Sequence, residues 1–361
     1  MGVTFVFQSE SGEPAPSALA EVDDRLTADE ALRRVRKGET LWHRGTFLNA
    51  RQVLAAMGRR LRRPAPATTA LEAFRQERRA RQLEHETLSR VVVGLDGDFR
   101  LLLAKAPDVA QACQEAFGAP VGPLTIVPLK TLVGVMGAAE WQRKGLRVPL
   151  LEGTLHPAFG VYTPTRSEYV ELFERVKGVR GATVFDLGTG TGVLSFILLQ
   201  RGAVRAVGTD VEPRAVACAT ANARRLKLAS RFEAQERVLF PDGRADLIVC
   251  NPPWVPETPK NRFDVAVFDE GSACLLGFLQ GLSAHLTPGG RGLLVISDLA
   301  VHLGLRPPSW LEERIAEAGL EVTGRWSTKP THARARDRSD PLHEARAKET
   351  TTLYELRSRR D

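Results

Sequence analysis

Asp186-Leu-Gly-Thr-Gly-Thr-Gly192 and Asn251-Pro-Pro-Trp254 hold the residue types and spacings best suited to chemistry in this chain. In the first, three alternate glycines follow a carboxylate. Glycine lacks a Cβ and tolerates positive φ, so such a run lets backbone approach a ligand closely. Set between a strand and a helix, it is suited to holding a nucleotide-like cofactor. In the second run, Pro252 and Pro253 fix φ and restrict the residue before each of them, which presets the direction of the Asn251 amide. Trp254 adds a large aromatic face. The turn therefore suits a flat group bearing an NH₂. Such a nitrogen is a poor nucleophile, because its lone pair is delocalised into a π-system. Hydrogen bonds from its N–H groups to the Asn251 side-chain oxygen and the Pro252 carbonyl would favour the rehybridised nitrogen. Trp254 would stack on the planar group, so catalysis would rest on positioning and electrostatics.

A glycine-rich loop by itself does not separate cofactor classes. The dinucleotide fingerprint GxGxxG requires glycine or alanine at position 193, and this chain has Val193 and a GxGxG spacing. That disfavours a dehydrogenase. Asp210 ends the next predicted strand, where a carboxylate can accept both ribose hydroxyls of a nucleotide. Both cofactor classes use such a carboxylate, so it does not discriminate. The plain readings are a structural glycine turn and a rigid strand-ending turn with a buried Trp; the convergence of independent site features speaks against both.

The elements that must position these residues follow from an alternating pattern. Strands are predicted at Thr183–Asp186, Ala203–Asp210, Arg231–Ala234, Ala245–Cys250 and Gly290–Ser297, and helices at Val193–Arg201 and Pro213–Leu226. This βαβα rhythm predicts a doubly wound, mostly parallel sheet. Asp186, Asp210 and Asn251 all fall at the carboxyl ends of strands, where ligands sit in such sheets. Residues 1–150 read as a separate α-rich domain, with helices from Ala28 to about Gly38, from Asn49 to Arg63 and from Thr69 to Ser89. A β-hairpin is expected there between Val91–Gly94 and Phe99–Leu103, around Asp96-Gly97.

Together the two motifs resemble the class I S-adenosylmethionine-dependent N-methyltransferases, in particular the HemK-like glutamine methyltransferases that modify peptide release factors. The segment Phe159-Gly-Val-Tyr-Thr-Pro-Thr-Arg-Ser-Glu168, just before the first predicted strand, adds to the resemblance. It covers roughly residues 155–325 and implies a Rossmann-like, seven-stranded α/β sheet in residues 151–361, behind a smaller basic α-rich (α+β) domain for substrate recognition. It implies S-adenosylmethionine as cofactor, with Asp186 near the methionine amino group and Gly188, Gly190 and Gly192 lining the loop. By the same resemblance Asp210 holds the ribose, Glu233 lies near the adenine, and Tyr162, Thr163 and Arg166 cover the cofactor. Asn251, Pro252, Pro253 and Trp254 are the implied catalytic turn. Three departures bear on the substrate: Trp254 where release-factor enzymes more usually carry Tyr, a longer and more basic first domain, and a polar insertion at 327–349 between two predicted terminal strands.

Composition sets the remaining bounds. The chain has 361 residues, 43% hydrophobic and 26% charged, enough for two domains with real cores. No stretch approaches the roughly 18 apolar residues that span a bilayer, and the start does not read as a secretory signal. Four separated cysteines and scattered histidines give no metal-ligand spacing, so no metal is expected and a cytoplasmic setting is. The net charge of +7 is uneven. Residues 30–81 hold fourteen Lys/Arg against four Asp/Glu, and residues 325–361 hold ten against six, leaving the rest of the chain at −7. Such segments favour a phosphate-rich partner such as RNA, DNA or the ribosome, or are solvated helix faces. The expected function is methylation of a planar amide or amine, first a protein glutamine in a translation-related factor. Adenine in RNA or DNA is the alternative. A non-catalytic nucleic-acid-binding protein of the same fold is a third reading.

Overall fold

The computed structural model describes residues 4–61, 67–164, 168–331 and 333–359. The chain divides into two compact units, one of Met1–Thr68 with Glu72–Glu140 and one of Thr69–Leu71 with Trp141–Asp361. Among the described residues no helix is long and apolar enough to cross a membrane.

The first unit contains β1 (Val6–Phe7), β2 (Ala20–Val22), α1 (Ala28–Arg36), β3 (Leu41–His43), α2 (Phe47–Leu61), α3 (Ala70–Leu88), β4 (Val91–Asp96), α4 (Ala110–Phe117), β5 (Leu124–Pro128) and most of α5 (Leu129–Lys144). Thr27 caps α1, its hydroxyl accepting the Glu30 amide at 3.2 Å. The sheet order is β1-β5-β4-β3-β2, larger than the single hairpin expected. Strands of two or three residues give no periodic signal, which is why they were illegible. The expected hairpin is corrected in extent: the segment after the turn returns along β4 only through the antiparallel bridge Leu95–Leu101 and the backbone bonds Leu102 N–H to Gly94 and Asp96 N–H to Arg100. Asp96 gathers the amides of Asp98 and Arg100 into that tight turn. On its opposite edge β4 pairs with β5, whose Thr125-Ile126-Val127 is buried throughout.

The second unit contains α6 (Glu168–Glu171), β6 (Thr183–Leu187), α7 (Val193–Gln200), β7 (Arg205–Asp210), α8 (Pro213–Arg225), β8 (Phe232–Glu236), β9 (Ala245–Cys250), α9 (Ala273–His285), β10 (Leu286–Ser297), α10 (Leu299–His302), α11 (Trp310–Glu317), β11 (Leu320–Thr328), α12 (Ala333–Arg336), α13 (His343–Lys348) and β12 (Thr351–Ser358). Its seven strands run β11-β12-β10-β9-β6-β7-β8, parallel from β10 to β8, with β12 antiparallel to both its neighbours. This is the Rossmann-like, doubly wound α/β sheet. Of the strands inside it, β9 and β10 carry the longest apolar runs, Leu247–Cys250 and Leu293–Ile296, buried on both faces as in central parallel strands. Every residue of α7 from Val193 to Leu199 is buried. Each large side chain there, Phe196 and Ile197 among them, contributes about 1.5–3 kcal/mol by leaving water. Pro213 starts α8 behind the Glu212 cap, and Arg224 and Arg225 close its last turn.

Strand order reverses at β6. The chain moves outward through β7 and β8, then returns to lay β9 on the other side of β6. The crevice at the carboxyl ends of β6 and β9 is therefore the switch point at which doubly wound sheets bind ligands. The insertion after β11 contains α12 and α13. Its last residue, the fully buried Glu349, accepts the Ser297 hydroxyl at 2.7 Å, which ties it to the carboxyl end of β10.

Candidate active site

Register brings the two motifs together. Leu187 pairs with Cys250, so Gly188 and Asn251 leave adjacent strands side by side, one strand spacing apart, about 4.8 Å. Asp186 lies inside β6 and is 2% exposed. Its Oδ2 accepts the hydroxyls of Thr189 and Ser195, each at 2.8 Å, and the Ser195 amide at 3.2 Å. Burial pushes its carboxyl above the ordinary range, and these bonds oppose the shift. Asp186 thus fastens the glycine loop to the start of α7 with one oxygen. Thr189 and Ser195 were missed in the sequence, although both sit inside or next to the motif.

The three glycines divide by role. Gly188 and Gly190 have φ of +69° and +54°, and a Cβ on Gly188 would meet nothing within 4 Å. The space beside them is open, which is what a bound nucleoside needs. Gly192, at φ +86°, differs: a Cβ there would overlap the Phe196 ring. Its constraint is packing of the loop on α7, although the sequence grouped it with the cofactor residues. A fourth glycine, Gly208 on β7, was not singled out. A Cβ there would come within 2.7 Å of Thr189 Oγ1, so β7 must be bare where the loop crosses it.

Asp210 ends β7. Its Oδ2 accepts the Gly190 amide at 2.9 Å and its Oδ1 the Glu212 amide at 3.0 Å. Burial also raises this carboxyl, against the pull of those amides. Glu233 is not part of this group. It pairs in register with Val207, at the amino half of β8, and its exposed carboxylate binds Arg205 at 2.6 Å. Glu236 pairs with Asp210 and occupies the level at which Glu233 was expected. The offset is three residues, roughly 10 Å along the strand. The cause is that β8 continues two residues beyond its predicted end.

The segment before β6 lies along α8. The His156 amide donates to Asn222 Oδ1 at 3.0 Å, and Asn222 Nδ2 donates to the Thr191 carbonyl at 3.2 Å, linking this segment to the glycine loop. Val161 is buried with Ala215 and Cys218, Tyr162 is 41% exposed and Thr163 is half-buried. Arg166 lies outside the described residues. Phe159 meets Phe263 edge to face at 5.6 Å, and Arg262 pairs with Glu212 at 3.1 Å. The loop after the Asn-Pro-Pro-Trp turn thus reaches back over the start of α8.

The turn itself is held on several sides. Pro252 is buried, and Asn251, Pro253 and Trp254 are half-buried. The Trp254 indole N–H donates to Asn251 Oδ1 at 3.0 Å. Tyr169, 3% exposed, is among the buried side chains of this unit, and burial raises its pKa. Arg306, 8% exposed, donates to the Trp254 carbonyl at 3.4 Å and to Ser272 Oγ at 2.7 Å, and stacks on Trp310 at 4.5 Å. Its burial lowers the guanidinium pKa to about 10. No local motif marks Arg306, which lies 52 residues beyond Trp254. Among the described residues no cluster of three or more His, Cys, Asp or Glu side chains is placed to hold a metal ion.

Residues 157–252, from before β6 to the Asn-Pro-Pro turn, match the ribosomal protein L11 methyltransferase (PrmA) family. A release factor glutamine methyltransferase of Cereibacter sphaeroides is 35% identical over 167 residues, 42% of this chain and 57% of that protein. A candidate protein N5-glutamine methyltransferase of Methanocaldococcus jannaschii is 30% identical over 151 residues, 40% of this chain and 75% of that protein. A ribosomal protein L11 methyltransferase of Xylella fastidiosa is 32% identical over 139 residues, 37% of this chain and 39% of that protein. The chain thus spans little more than half of the first of these relatives and less than half of the third.

Proposed function

The chain belongs to the class I S-adenosylmethionine-dependent methyltransferases and resembles the HemK-like enzymes among them, and from that premise we propose that it N-methylates the side-chain amide of a glutamine in a translation-related protein of the cytoplasm. When bound, S-adenosylmethionine supplies a methyl group made electrophilic by its sulfonium. Gly188 and Gly190 would leave it room, Asp210 would accept from its ribose, and Asp186, which sets the loop, would place a carboxylate near its ammonium group. Tyr162 and Thr163 border this side. Asn251 Oδ1 and the Pro252 carbonyl would accept the N–H bonds of the acceptor, directing its nitrogen lone pair at the methyl and holding the charge that develops there. The C–S electron pair would leave with S-adenosylhomocysteine, and one N–H proton would pass to water.

The observation that carries this reading is the side-by-side exit of Gly188 and Asn251 from paired strands. It sets a donor loop and an NH₂-gripping turn one strand spacing apart. A second reading, adenine in RNA or DNA, draws support from the exposed Arg75, Arg79 and Arg81 on α3. On either reading the first unit is an accessory domain for substrate recognition.

The test is transfer of labelled methyl from S-adenosylmethionine into a lysate of cells lacking this protein, divided among ribonuclease, deoxyribonuclease and protease. Label lost only to protease is the expected result. Label lost to a nuclease would replace glutamine with a nucleic-acid base.

A further inference from the structure

We infer that the Trp254 indole N–H locks the Asn251 amide in the one orientation that presents its oxygen to an acceptor. Trp254 is then a positioning residue that acts through Asn251. This rests on the proposed use of Asn251 as the acceptor-gripping group.

An asparagine side chain has two nearly isosteric orientations, and only one places Oδ1 where an acceptor N–H can reach it. An indole N–H is a donor with no acceptor capacity, so the 3.0 Å contact with Trp254 requires oxygen on that side. Oδ1 carries two lone pairs, so the indole leaves one for the acceptor. Trp254 itself is fixed: its ring packs against both apolar layers of the unit, and Arg306 holds its carbonyl. A phenylalanine here offers no donor, and a tyrosine carries its hydroxyl at the far tip of its ring, beyond the position of the indole N–H.

An aspartate at 251 has two equivalent oxygens and needs no such lock, which gives a discriminating cycle. In the Asn251 protein, Trp254→Phe should lower kcat for methyl transfer into lysate protein about tenfold, the equivalent of one neutral hydrogen bond, with KM changed far less. In the Asn251→Asp protein the same substitution should cost clearly less. Equal losses in both backgrounds, or a loss confined to KM, would make Trp254 a stacking surface only and overturn the lock. A second measurement needs no acceptor: the ¹H–¹⁵N signal of the Trp254 indole, assigned by its absence in Trp254→Phe. It should exchange slowly with water, and more than tenfold faster in Asn251→Ala. An indole signal indifferent to Asn251→Ala also overturns the lock. If the wild-type chain labels no protein, the proposed function fails while the indole signal still decides this point.

Discussion

The backbone amide of Gly190 donates to Asp210 Oδ2 at 2.9 Å, so the loop after β6 is tied to the carboxylate that ends β7. Thr189, one residue earlier, donates its amide to the Thr209 carbonyl at 2.9 Å and its hydroxyl to Asp186. The cofactor loop is thereby fixed to two strands before any ligand arrives. A preorganised site of this kind spends little binding energy on ordering the loop.

Asp210→Ala removes the acceptor for the ribose and the anchor of Gly190 together. Cofactor affinity should fall about 10- to 100-fold, the equivalent of one or two charge-assisted hydrogen bonds. Titration calorimetry with S-adenosylhomocysteine checks this, and unchanged affinity would contradict the ribose role.

Asn251→Ala should separate binding from transfer. Its side chain makes no contact that holds the glycine loop, so affinity for S-adenosylhomocysteine should change less than about threefold. Loss of a preorganised acceptor for developing charge should lower transfer at least about 100-fold. Full transfer in this variant would remove the amide grip from the mechanism.

Gly188→Ala and Gly192→Ala should differ although both residues have positive φ. The backbone strain is shared and amounts to about 1–2 kcal/mol in each. Only at 192 does the new methyl collide with Phe196, adding about 1–3 kcal/mol of overpacking. Thermal unfolding should therefore drop much further for Gly192→Ala, while Gly188→Ala mainly weakens cofactor binding. Equal melting temperatures would contradict the packing role of Gly192.

The raised carboxyls of Asp186 and Asp210 predict a pH dependence of opposite sign for stability and for binding. Their cause is burial. The folded protein holds protons on these groups that the unfolded chain has released. Their contribution to the stability of the cofactor-free protein therefore improves as pH falls from the raised value toward the ordinary one. Cofactor binding uses the ionised forms, so affinity should fall over the same window, with proton release on binding. Calorimetry in buffers of different ionisation heat reads both effects. Affinity independent of pH below neutrality would show that neither carboxyl titrates with the site.

Neutralising Arg75, Arg78, Arg79 and Arg81 with glutamine should flatten the salt dependence of binding to RNA if this face of α3 meets phosphate. Arg81 already pairs with Glu77, and Arg78 lies over the Phe74 ring at 5.9 Å. The steeper share of the change should therefore come from Arg75 and Arg79. An unaltered slope leaves α3 a solvated face.

The sequence by itself determined the layout of the candidate site. The alternation of apolar strands and helices dictates a doubly wound sheet, and strand polarity then forces Asp186, Asp210 and Asn251 to one edge of it. Local rules settle such features: glycine where φ is positive, proline where the turn is rigid, a carboxylate closing a strand. Only the tertiary structure decided what depends on register and on distant chain. Glu233 and Glu236 exchanged places because β8 ran two residues further than its apolar signal. β4 found β5 across nearly thirty residues, on the edge opposite the one its nearby turn occupies. Gly192 proved to be a packing residue through Phe196, which no spacing rule reports. Arg306 and, through it, Ser272 reach the Asn-Pro-Pro-Trp turn from far along the chain, and nothing local in their own sequence marks them. Their partners exist only after the sheet has brought the strand ends together.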